Sequence, residues 1–158
     1  MPVSPAFAES NRTQTERLRR LVQRLDASAL RQTMPNGWTV AGTLAHLAFW
    51  DRQRLCLMLR WASGDFCNGG YDGDLFNATS QPLLELIPPE RAAQAALEAA
   101  EEIDAFLLEV PTDLVTKALA RPDAPNLDRG SHRQGHLDRV EKALAAPPVP
   151  PDAGQAGR

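Results

Sequence analysis

The sequence predicts an all-α protein, a single four-helix bundle, on three observations. Four stretches repeat apolar residues at the three-and-four spacing of a helix face, and no stretch alternates apolar and polar side chains as a half-buried strand does. The joints between the helical stretches are marked by proline, glycine and asparagine. At 158 residues the chain has the length of one domain with one core.

The first helix is expected over Phe7–Leu30, where Leu18, Leu21, Val22, Leu25 and Ala29 recur at helical spacing. Met34-Pro35-Asn36-Gly37 ends it, because proline restricts the residue before it and Asn-Gly favours a turn. Thr39 then caps a second helix, expected from Val40 to about Ser63, with Gly64 as its left-handed stop. On this helix Val40, Leu44, Leu47, Leu55 and Met58 form one apolar stripe. Thr43, His46, Trp50, Leu57 and Trp61 form an adjoining one, which puts His46 at the edge of the core-facing arc.

Gly64 to Gly73 reads as a loop, followed by a short amphipathic piece around Asp74–Ile87 in which Pro82 is a potential break. Pro88-Pro89 opens the third long helix, since a proline in the first turn lacks only an N–H that would be unpaired anyway, and Pro111 ends it after Glu109. Thr112–Ala120 has room for another turn or two, and Arg121–Leu127 is a connection. The last helix spans Arg129 to about Ala145. Residues 1–146 therefore form the bundle, and 147–158, opened by Pro147, Pro148, Pro150 and Pro151, form a disordered proline-rich tail.

Composition narrows the function classes. A formal net charge of −3 gives no electrostatic case for nucleic acid. No apolar run approaches the roughly 20 residues of a membrane span, and Met1-Pro2-Val3-Ser4-Pro5 lacks the basic and apolar regions of a signal peptide, so a cytoplasmic protein is expected. Cys56 and Cys67 are the only cysteines and form no CxxC, which removes both a disulfide framework and a zinc ribbon. Neither a GxGxxG, a Walker loop, a GxSxG nor an HExxH motif is present, so serine-type and nucleotide chemistry have no footing.

What remains is the histidines. His132 and His136 stand four residues apart on the last helix, a spacing that sets two imidazoles on one face, and His46 supplies a third from the second helix. Three neutral imidazoles leave at least one position of a divalent transition metal open, the layout of a catalytic or ligand-exchanging site. The alternative is an exposed pair on the last helix with His46 hydrogen-bonded in the core. Asp51 lies near the centre of an apolar arc and needs a partner. It either accepts the free N–H of a ligand imidazole or pairs with an arginine such as Arg129 or Arg133, and its separation from His46 along one helix favours the pair. Trp50, one turn after His46, is either core or a pocket wall beside the metal. Gly130 and Gly135 inside the last helix imply a close backbone approach or space left for a ligand. The Glu-x-x-His pairs of di-iron bundles are missing, so a single ion is implied.

Gly37-Trp38-Thr39-Val40, Leu44-Ala45-His46-Leu47-Ala48-Phe49-Trp50-Asp51 and His132-Arg133-Gln134-Gly135-His136-Leu137 resemble the DinB-like superfamily pattern. That superfamily includes the damage-inducible DinB proteins, the YfiT-like and ClbS/DfsB-like bundles and the metal-binding domain of mycothiol-dependent maleylpyruvate isomerase. The resemblance implies an up-down-down-up bundle in which His46, His132 and His136 bind zinc or nickel, often within a homodimer. Asp74-Leu75-Phe76-Asn77 looks like the Asp…Asn segment that follows the second helix in the family, which makes Asn77 a pocket candidate. The expected function is that of a thiol-dependent S-transferase or isomerase acting on a small molecule with a low-molecular-weight thiol as cosubstrate, or of a metal-dependent hydrolase. The alternative from another class is a stress-related module that binds a metal or small electrophile without turnover. The short tail offers no counterpart of the C-terminal domain of the isomerases, so their substrate does not carry over.

Overall fold

The computed structural model describes residues 6–146, so the expected tail at 147–158 lies outside the described residues. The described residues form seven helices and no strand: α1 (Ala8–Arg24), α2 (Ala27–Arg31), α3 (Val40–Ala62), α4 (Gly73–Leu84), α5 (Pro89–Glu109), α6 (Thr112–Leu119) and α7 (Arg129–Ala145). Four of them, α1, α3, α5 and α7, are long. α3 lies along α5, α5 against α1, α1 against α7 and α7 against α3, which closes a four-helix ring.

Most boundaries follow from local chemistry. Thr39 caps α3 by accepting from the Gly42 N–H at 2.9 Å, and α3 ends where Gly64 takes a φ of +89°. Pro89 occupies the first turn of α5. The structure departs from the sequence expectation at the first helix and in α4, which ends at Leu84 and not at Ile87. The first helix is broken at Leu25, whose backbone is extended, and Asp26 restarts it as α2 by accepting from the Ala29 N–H at 2.8 Å. Leu30 at the end of α2 is still buried, so leucine spacing runs across the break and hides it. Pro82 does not interrupt α4, because it sits in the last turn, where only one intrahelical bond is forgone.

The core has two parts. Leu18, Leu21, Leu44, Leu47, Leu137 and Val140 meet around the small face of α5 made by Ala92, Ala93, Ala96 and Ala100, whose short side chains let α3 approach closely. Met58, Trp61, Ile103, Leu107, Leu114, Val115 and Leu127 form the second part under α6. Between them runs a buried polar seam centred on Arg133, described below.

The two glycines of α7 have opposite surroundings. A Cβ on Gly130 would lie 2.5 Å from the Ser10 carbonyl carbon, and its N–H donates to Asn11 Oδ1 at 2.7 Å, so this glycine is what lets α1 touch α7. A Cβ on Gly135 would meet nothing within 4 Å. Gly130→Ala should therefore destabilise the protein by about 1–3 kcal/mol through overpacking against backbone, while Gly135→Ala should stabilise it by up to about 1 kcal/mol through helix propensity. Urea midpoints of the two variants check this, and a stabilising Gly130→Ala would contradict it.

Candidate metal centre

His46 sits in the first third of α3 and is 2 % exposed, while His132 and His136, half-buried, project from α7 one turn apart. Their phase on α7 is set by Asp128, which caps the helix by accepting from the Ser131 N–H at 2.9 Å. The ring centroids are 5.5 Å apart for His46 and His132, 4.6 Å for His46 and His136, and 4.9 Å for His132 and His136. One nitrogen from each ring lies within 4.8 Å of the others. The exposed-pair alternative is thereby replaced by one cluster compatible with a metal ion.

Two tryptophans enclose the cluster. Trp38 is carried by a tight turn, closed where Met34 N–H donates to the Trp38 carbonyl at 2.7 Å and Val40 N–H to the Gln32 carbonyl at 3.0 Å. Its ring lies 5.0 Å from that of His46 and stacks on His136 at 6.5 Å with 7° between planes. Trp50 meets His46 edge-on at 6.4 Å, and its Nε1–H donates to Asn77 Oδ1 at 3.0 Å, which ties α4 to α3 beside the site. The resulting pocket has a volume of about 370 Å³ and is lined by both tryptophans, the three histidines, Asn77, Tyr71, Asn126 and the arginines Arg54, Arg129 and Arg139. Among the described residues, no aspartate or glutamate lines it. A larger cleft of about 560 Å³ between α1 and α5 contains none of the histidines.

Burial, the leading cause, holds all three imidazoles neutral far below their usual range. His46 is lowered to about 3, with the His136 ring and Arg129 next in importance. His132 is lowered to about 2, with Arg129 next, and His136 to about 4, with Arg139 next. The neutral ring is the form with a free lone pair for a metal. The Nδ1 atom of His46 is buried without any hydrogen-bond partner, a polar group that the protein alone leaves unsatisfied. Imidazoles without carboxylates suit a transition ion such as zinc or nickel rather than calcium or magnesium. The residues present fit such an ion.

A family model described as the DinB superfamily matches residues 11–146. The chain belongs to the DinB superfamily. No curated protein and no solved structure gives a significant match to it.

In this DinB-superfamily chain the support beneath the histidines is cationic. Asp51, fully buried, accepts from Arg129 Nε at 2.7 Å and from Arg133 Nε at 2.9 Å, so it pairs with both arginines and touches no imidazole. Arg129 in turn contacts His132 Nδ1 at 2.8 Å. A guanidinium only donates, so His132 Nδ1 is the acceptor here. A neutral His132 could therefore hold an ion only by giving up the Arg129 contact: on Nδ1 the ion would take its place, and on Nε2 the ring proton would shift to Nδ1, which then no longer accepts. Arg133 reaches further, donating to Asp104 Oδ2 at 2.9 Å and Oδ1 at 3.0 Å and to Thr15 Oγ1 at 2.8 Å, which joins α7 to α3, α5 and α1 in one network.

Of the residues singled out in the sequence, His46, His132, His136, Trp50 and Asn77 come together at one pocket, and Asp51 lies behind it. Arg54, Tyr71, Asn126 and Arg139 are further pocket residues that the sequence reading did not name. For Arg54 a signal exists: His46, Trp50 and Arg54 follow at i, i+4 and i+8 on one face of α3. For Tyr71, in the loop before α4, there is none.

Proposed function

We propose that this protein is a DinB-superfamily metalloprotein that holds one divalent ion, zinc or nickel, on His46, His132 and His136 and serves thiol-dependent group transfer or isomerisation of a small molecule. The observation that carries this reading is the convergence of three neutral imidazoles from two helices on the floor of a pocket large enough for a small ligand. Such an ion, when bound, supplies a Lewis acid and favours the deprotonated form of a coordinated thiol or water.

The chain's own residues prepare the site. Trp38 and Trp50 exclude water from two sides of the histidines. Asn77, with its side-chain oxygen occupied by Trp50, keeps its amide N–H groups for a ligand. Before any ion binds, Asp51, by fixing Arg129, orients the His132 ring that Arg129 contacts. Tyr71 brings a phenol hydroxyl to the pocket, and that hydroxyl accepts from Arg54.

The test is turnover. Zinc- or nickel-loaded protein, given cysteine or glutathione and an aromatic electrophile, should consume thiol faster than the metal in buffer does, and His46→Ala should abolish the excess. A loaded protein with no excess rate would remove the catalytic reading. That outcome would favour the binding-module reading, which one observation already supports: among the described residues no carboxylate lines the pocket to act as general base.

A further inference from the structure

We propose that the pocket beside the three histidines is a receptor for a small organic anion, whose carboxylate or phosphate group docks on Arg54. The inference deepens the reading of this pocket as a ligand site and rests on it, yet it concerns a different group from the metal ligands.

Arg54 is 2 % exposed, and among the described residues it has no ion pair. The other two buried arginines do: Arg129 has Asp51, and Arg133 has Asp51 and Asp104. Arg54 instead donates to two neutral acceptors, the Gln53 side-chain oxygen and the Tyr71 hydroxyl, and its Nε is buried with no partner at all. Its guanidinium carbon lies 4.8 Å from the centre of the Tyr71 ring and 5.6 Å from that of Trp50. Aromatic faces soften the burial of a cation but do not neutralise it. Burial lowers the affinity of Arg54 for its proton, yet an arginine stays charged in a protein. A buried cation without a counter-charge is a state that folded proteins avoid unless a ligand completes it.

The surroundings give nothing else to complete it. The pocket wall contains three arginines and, among the described residues, no acid, and Asp51 is already shared by Arg129 of that wall and by Arg133 behind it. A divalent ion on the histidines would add to the positive field. A planar oxyanion matches the fork of a guanidinium, and the flanking Trp50 and Tyr71 rings suit a flat apolar body attached to it.

The experiment uses benzoate, phenyl phosphate and neutral benzamide as probes of nearly one shape, titrated calorimetrically into chelator-stripped full-length protein and again into the zinc-loaded protein. Benzoate or phenyl phosphate should bind at least about tenfold more tightly than benzamide, and the tighter of the two identifies the oxyanion. Arg54→Gln and Arg54→Met, checked for helicity, should lose that preference, with the affinities for benzoate and phenyl phosphate falling to that for benzamide in the same chain. Arg54→Met should also melt no lower than the wild type without ligand, because it removes an unbalanced buried charge. Benzamide binding as tightly as both anions, no anion binding at millimolar concentration, or an anion preference that survives in a folded Arg54→Met chain would each overturn the proposal. The first two results need no variant. Zinc uptake with no anion preference would defeat this inference alone, and anion binding without zinc uptake would defeat the metal reading alone.

Discussion

Arg133→Met should destabilise the protein by about 3–5 kcal/mol, the cost of leaving buried carboxylates without their cation. The side chains of Arg133 and Asp51 are wholly buried, and that of Asp104 is 14 % exposed. Removing the guanidinium strands Asp104 with only the Thr15 hydroxyl and takes one of two clamps from Asp51. The loss should appear as a lowered urea midpoint with unchanged slope, since the folded state keeps its compactness. Combining Arg133→Met with Asp51→Asn and Asp104→Asn should recover part of it, because the charges left behind are then gone. A single-variant loss below about 1 kcal/mol would place this seam among ordinary surface pairs. The same substitution should loosen His132, which is held through Arg129 and Asp51.

Zinc should raise the melting temperature of the wild type by roughly 10 °C at about a thousandfold excess over its dissociation constant, and at the same concentration should shift His136→Ala by less than about 4 °C. Binding to the folded state alone stabilises it by mass action, and a two-histidine remnant should lose more than the ~10–100-fold in affinity that removing an outer-sphere partner costs. Without zinc, His136→Ala should melt close to the wild type, because its half-buried ring fills no core position. An equal zinc shift in wild type and variant would mean that the ion stabilises the fold from elsewhere.

Much of this molecule is legible in the sequence because its signals are local. Thr39 before Val40, Gly64 after Ala62 and Pro88-Pro89 before α5 mark helix ends by backbone chemistry that tertiary packing does not override. The i, i+4 pair on α7 fixes the relation of His132 to His136, and Asp51 on an apolar face announces a buried ion pair. What escapes the sequence is of two kinds. The break at Leu25–Asp26 competes with an apolar repeat that continues through it into Leu30, so periodicity masks the cap. The character of Arg54 depends on what other helices bring to it. Arg129 and Arg133 find carboxylates across the bundle, whereas Arg54 finds a phenol and an amide, and no spacing along α3 distinguishes these fates.

The most direct test of the account is the metal content of untagged, chelator-stripped protein after incubation with zinc or nickel and removal of free ion, measured beside the His46→Ala, His132→Ala and His136→Ala chains with helicity verified by circular dichroism. The account predicts about one ion per chain in the wild type and almost none in each folded variant. Wild-type protein that retains no ion, or variants that retain it undiminished, would contradict the assignment of the three histidines as a metal centre.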